Sequence, residues 1–179
     1  MRLHRAAKAT LPARFARLTR SQGPSIVRDQ ASATRLLEKA AAHSGVDLWK
    51  YVDEVRYGNF EYPSFSVQGR VRVIQIPTQI SQSNKYEQLL TAAHEINHAR
   101  IYDKFLKRLG YIRGHEEYWS VARNRGTQLY AREEVIVERT AQIQIRSVFE
   151  GKLSGSNLRR FIQAIDNSNE YIRDYRMRM

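Results

Sequence analysis

The run Thr91-Ala92-Ala93-His94-Glu95-Ile96-Asn97-His98-Ala99 holds two histidines four positions apart. On an α-helix such residues stand one above the other on the same face. The surrounding stretch reads as that helix. Asn84 and Glu87 fit a capping box, Leu89, Leu90, Ala93, Ile96 or Asn97, Ile101 and Phe105 keep a helical period, and Gly110 stops it. His94 and His98 can therefore offer two ring nitrogens to one metal ion. Glu95, one position round, can reach a water at that metal without ligating. Two neutral imidazoles, a nearby base and an open coordination position are what zinc hydrolysis requires. The bland alternative is a surface helix with two histidines by accident, and the flanking residues argue against it.

Hydrolytic zinc sites use three protein ligands plus water. The chain has no cysteine, so the third must be nitrogen or oxygen. The metzincin pattern is excluded, because Lys104 stands where it needs histidine and Ile101 where it needs glycine. His115, followed by Glu116 and Glu117, is one alternative, although such a cluster in a loop is commonly just solvated. The better source is Tyr130-Ala131-Arg132-Glu133-Glu134-Val135-Ile136-Val137-Glu138, where acids interrupt an apolar helical stretch with Ile136, Val137, Ala141 and Ile145 on the core side. Carboxylates beside a buried face are costly unless paired or bound to a cation. Glu134 and Glu138 share a face, so one can ligate while the other orients a histidine. The reading takes Glu134 as ligand and Glu138 as outer partner, with the reverse left open. A run of surface acids balanced by Arg132 and Arg139 is the competing explanation.

At this point the chain resembles the gluzincin class of zinc peptidases: His-Glu-x-x-His followed some way on by a Glu-Glu-aliphatic helix. The segment Tyr130 to Glu138, with Asp166-Asn167-Ser168-Asn169-Glu170-Tyr171-Ile172 near the end, is similar to the metallopeptidase domain of ArdC-type anti-restriction proteins. It also resembles the metallopeptidase warheads of polymorphic toxins, including Rhs-type proteins. The resemblance spans roughly Ile74 to Tyr175. Val137 departs from the alanine common in the pattern, and residues 1–28 and 111–126 match nothing in it. It implies a zincin-like fold, Zn²⁺ on His94, His98 and Glu134, Glu95 as general base, and Tyr171 as oxyanion stabiliser. A toxin or effector would act on a protein or peptide substrate in a target-cell cytoplasm, after secretion, and would need an immunity protein, acidic to match a basic surface.

Length allows one domain, and the order of elements is α+β. Ser32 caps a helix running to Ser44-Gly45. Leu48 to Val55 reads as a helical turn or a lead-in strand. Phe65 to Val67 and Val71 to Ile76, joined at Gln68-Gly69, form a hairpin stopped by Pro77. The second strand would line the cleft, with an extended substrate adding to its edge. Tyr111 to Gly126 reads as one short helix. Thr127 starts a long helix to Phe149, Ser156 a third over Leu158 to Ile165, and Ser168 a last one. The expectation is a small β-hairpin packed on a motif helix, followed by a mainly helical C-terminal part.

Residues 1–30 read as a basic arm and 31–179 as the zincin-like domain. The arm holds Arg2, Arg5, Lys8, Arg14, Arg17, Arg20 and Arg28, with no acid before Asp29. A targeting peptide and a domain edge are both open readings for it. No apolar run is long enough to span a membrane, so a soluble protein is expected. The net charge of +12 favours polyanions. This sustains a different reading, a nucleic-acid-binding module of anti-restriction type in which zinc is secondary. Lys107-Arg108, Arg159-Arg160, Arg173, Arg176 and Arg178 would be its phosphate contacts. A third reading, an inactive zincin used only for interaction, is disfavoured by the intact Glu95.

Overall fold

The computed structural model describes residues 27–123, 127–177 and 179. Its elements run α1 (Gln30–His43), α2 (Leu48–Tyr51), β1 (Glu54–Gly58), β2 (Ser64–Gln68), β3 (Val71–Pro77), a 3-10 turn (Thr78–Gln82), α3 (Lys85–Leu109), α4 (Tyr111–Arg123), α5 (Gln128–Phe149) and α6 (Gly155–Arg176). The architecture is α+β, a small sheet with helices dominating the C-terminal two thirds.

The motif helix α3 is the centre of the molecule. It packs against α1, α4, α5, α6 and the strands β2 and β3. Its start is fixed by the capping box: Asn84 Oδ1 accepts from the Tyr86 and Glu87 amides, and Glu87 Oε2 accepts from the Asn84 amide at 2.9 Å. Every residue from Ala92 to Ala99 is buried, so this helix has no solvent face at the motif. Four of those eight are polar (His94, Glu95, Asn97 and His98), and each therefore needs a partner. The following helix comes very close. A Cβ on Gly114 would lie 2.6 Å from the Phe105 carbonyl oxygen, so only hydrogen fits where α4 crosses α3.

The sheet order is β1-β3-β2, with β1 parallel and β2 antiparallel to β3. The hairpin read from sequence is present, and Gly69 makes its turn at φ 64°. Leu48 to Val55 supplies both of its expected alternatives, a helical turn and the start of β1. That added strand corrects one expectation. β3 is central and has no free edge; the edge beside α3 belongs to β2.

Other corrections have local causes. Asp29, not Ser32, is the N-cap of α1; Ser32 sits three positions in and returns the bond to the Asp29 amide at 2.9 Å. Ile136 is 57% exposed, off the core side of α5. The third and fourth helices are one, α6, unbroken through Asn167 and Ser168. Those residues look like a helix stop because their side chains compete for local backbone. Here Asn167 donates to Glu87 Oε1 at 2.6 Å, and Ser168 donates to Glu138, so both are engaged by neighbouring helices. The basic arm falls outside the described residues up to position 26. Val27 is fully buried, its amide donating to Gln88 Oε1 at 3.1 Å. Gln30 also ties α1 to β1, donating to the Val55 carbonyl and accepting from the Tyr57 amide, both at 2.8 Å.

His43, at the end of α1, sits edge-on to Phe149 with its Nε2 buried and unpartnered. Burial pushes its pKa down to about 4, and the charge of Lys39 adds to this. Its unfolded value is near 6.5. Between those limits the unfolded chain takes up a proton that the folded chain refuses, so stability is present above about pH 6.5 and is lost as pH falls toward 4. In urea unfolding across this window, the wild type should lose stability relative to His43→Leu; parallel pH curves would contradict the assignment.

Candidate metal centre

α3 and α5 face each other across the motif. Asn97 braces them by donating from Nδ2 to Gln144 Oε1 at 3.1 Å. Their side chains bring His94, His98 and Glu134 together, the only His/Cys/Asp/Glu group of metal-binding geometry among the described residues. His94 Nε2 and His98 Nε2 are 3.0 Å apart. Glu134 lies 3.2 Å from the first through Oε2 and 3.5 Å from the second through Oε1. Tetrahedral ligands on bonds of about 2.0–2.1 Å stand about 3.3 Å from one another, so the two ring nitrogens and the Glu134 carboxylate, which presents a different oxygen to each, stand close enough together to hold one small divalent ion.

The outer nitrogens explain why the inner ones converge. His94 Nδ1 meets Glu138 Oε2 at 2.6 Å, and His98 Nδ1 meets Glu133 Oε1 at 2.9 Å. A carboxylate only accepts, so each Nδ1 carries the proton and each Nε2 turns a lone pair inward. Two lone pairs and a carboxylate aimed at one point repel unless positive charge lies between them. Protons are one source. Burial opposes charge on His94, but bonds to Glu134 and Glu138 outweigh it and hold the ring well above its ordinary pKa. His98 shows the same balance, burial against Glu133 and Glu134, and is raised to about 9. Glu134 is held far below the usual carboxylate range: burial pushes it up, and the bonds from the two histidines prevail. A divalent ion meets the same demand with one centre, and nitrogen and oxygen donors without sulfur suit zinc, copper, iron or nickel.

Glu95 is buried beside the trio and is not part of it. Burial raises its pKa, the two histidines pull it back, and the Phe65 amide on β2 hydrogen-bonds it. The net shift is upward, so a proton on this carboxyl is held more firmly than on a solvent-exposed one. Tyr171 OH donates to Glu134 Oε2 at 2.6 Å, so its proton is engaged on the carboxylate. Burial and the neighbouring Glu134 hold both Tyr171 and Tyr130 in the neutral phenol form.

Glu134 stands at the histidine pair, and Glu138 stands behind His94. His115 is elsewhere, its Nδ1 within 2.9 Å of Tyr102 OH and its ring stacked on Tyr111. The sequence reading gave Glu133 no role. The signal was there: two ligand histidines need two outer partners, and Glu133 is one helical turn before Val137 on the α3 side. Ser168, which donates to Glu138 Oε1 and accepts from Gln142 Nε2 at 2.8 Å, was legible only as part of a weak terminal motif.

The trio opens into a cleft of about 560 Å³ walled by Tyr62, Phe65, Tyr118 and Trp119. Among the described residues, no Lys or Arg lines it, although the chain carries +12. In comparisons with known proteins, no family model, no curated protein and no solved structure matches this chain.

Proposed function

We propose that this chain is a zinc-dependent metallopeptidase of zincin-like fold, with His94, His98 and Glu134 as the metal ligands. The observation that carries the reading is the convergence of two inward lone pairs and one carboxylate, each histidine held from behind by its own acid. When bound, zinc polarises a carbonyl and brings the pKa of water toward ~7. The rest is the work of this chain's side chains. Glu95 takes the proton of the attacking water and returns it to the leaving amine. Glu133 and Glu138 keep the imidazoles in one tautomer. Tyr171 holds Glu134 through the bond to Oε2, and serves the oxyanion only by giving up that bond. An extended peptide pairs with the edge of β2, whose Ser64 and Phe65 border the cleft.

The absence of cations among the described cleft residues favours a peptide over a phosphodiester in the site, since a polyanion there would meet acids. The charge of +12 supports the second reading, nucleic-acid contact, on the outer surface; such binding should weaken steeply with salt. The toxin or effector role, with its acidic immunity partner, rests on the resemblance alone. Among the described residues, no helix is long and apolar enough to cross a membrane.

The test is cleavage of an unfolded protein such as casein. Activity should fall at least about 100-fold with 1,10-phenanthroline, as expected when a metal-activated nucleophile is lost, and return with zinc but not magnesium. Cleavage that survives full chelation would remove the metal from the reaction.

A further inference from the structure

A second concavity, of about 400 Å³, lies between α5 and α6. It is lined by Arg139 and Gln142 of α5 and by Asn169, Ile172, Arg173 and Arg176 of α6. The helical periods make it. Arg139 and Gln142 are one turn apart, as are Asn169, Arg173 and Arg176 in succession, so both rows face the same hollow. Gln142 Nε2 closes its inner end, donating to Ser168 Oγ at 2.8 Å and Asn169 Oδ1 at 3.0 Å. With its carbonyl so occupied, Asn169 keeps its amide hydrogens for another acceptor.

Among the described residues, no acid lines this hollow. Some arginines of the fold are paired, Arg56 with Glu54, Arg72 with Asp53, Arg113 with Glu117 and Arg146 with Glu150. Among the described residues, no ion pair engages Arg139, Arg173 or Arg176, and like charges gathered on one concavity repel until an anion joins them. The C-terminal dipole of α6 favours Arg173 and Arg176 in its last turn, but it gives no reason for Arg139 in the middle of α5.

We propose that this arginine hollow binds a compact phosphoryl group, held by the guanidinium forks of Arg139, Arg173 and Arg176 with the Asn169 amide. Fork geometry suits phosphate oxygens two at a time. A space of about 400 Å³ admits one or two phosphoryl groups with a small body attached. The site is separate from the peptidase reading and stands without it.

Calorimetric titration of the full chain with pyrophosphate, at fixed ionic strength, tests this. One saturable site is expected, weakened at least tenfold in Arg139→Gln/Arg173→Gln and also in Arg139→Lys/Arg173→Lys, which keeps charge but loses the fork. Binding should persist with 1,10-phenanthroline present and in Lys107→Gln/Arg108→Gln. Circular dichroism establishes that each variant is folded. The proposal is overturned by the absence of saturable binding, by equal loss in the Lys107/Arg108 variant, or by loss on chelation, which would put the anion on the metal. It also falls if a labelled single-stranded oligonucleotide binds in an Arg139- and Arg173-dependent way while pyrophosphate does not.

Discussion

Glu95→Gln is expected to lower peptide hydrolysis by about 10²–10⁴-fold, the range for removing a general base, while each chain keeps its metal. The two halves of that outcome come from one geometry. Glu95 is buried next to the histidines but contributes no atom to the ligand trio. Gln fills the same volume and can still meet the Phe65 amide through its oxygen, so folding should be retained. What Gln cannot do is carry a proton. If the chain is a toxin, wild type expressed in a bacterium should arrest growth and Glu95→Gln should not. Activity within tenfold of wild type would take Glu95 out of the mechanism, and loss of metal would make it a ligand.

The second large effect separates the three acids of α5. Glu134→Ala and His98→Ala should each abolish stoichiometric metal, because each removes one of three ligand atoms. Glu138→Ala and Glu133→Ala should weaken metal binding by roughly 10–100-fold, as expected for outer partners of ligand histidines. Their cost in stability is also distinct. Removing one member of a buried pair costs about 3–5 kcal/mol, and loss of Glu138 leaves the His94 Nδ1 proton and the Ser168 hydroxyl proton without their acceptor. Metal content and thermal unfolding of the four variants give the answer together. Should Glu138→Ala lose all metal while Glu134→Ala keeps it, the ligand and the outer partner exchange roles.

The part of the site carried on one helix was readable because helical geometry alone brings it together. His94, Glu95 and His98 need only the period of α3, and Asn84, Glu87 and Gly110 announce where that helix starts and stops. Glu134 and Glu138 were readable one step further, since acids within an apolar helical face ask for a cation. Which face of α5 turned inward was less clear. Glu133 was missed and Ile136 was placed inside, yet Glu133 meets His98 and Ile136 is solvent-exposed. Neighbouring positions on a helix differ by only 100°, so a small error in phase exchanges a surface acid for a buried one. β1 and the continuity of α6 depend on partners distant in sequence. The parallel pairing of Glu54–Gly58 with β3, and the use of Asn167 and Ser168 by Glu87 and Glu138, leave no local signature.

Anomalous diffraction from crystals grown with zinc, recorded on both sides of the zinc absorption edge, bears on the centre of this account most directly. It predicts one peak per chain, about 2.0–2.2 Å from His94 Nε2, His98 Nε2 and a carboxylate oxygen of Glu134. A peak bound by Glu138 in place of Glu134, or no peak between the two imidazoles, would contradict it.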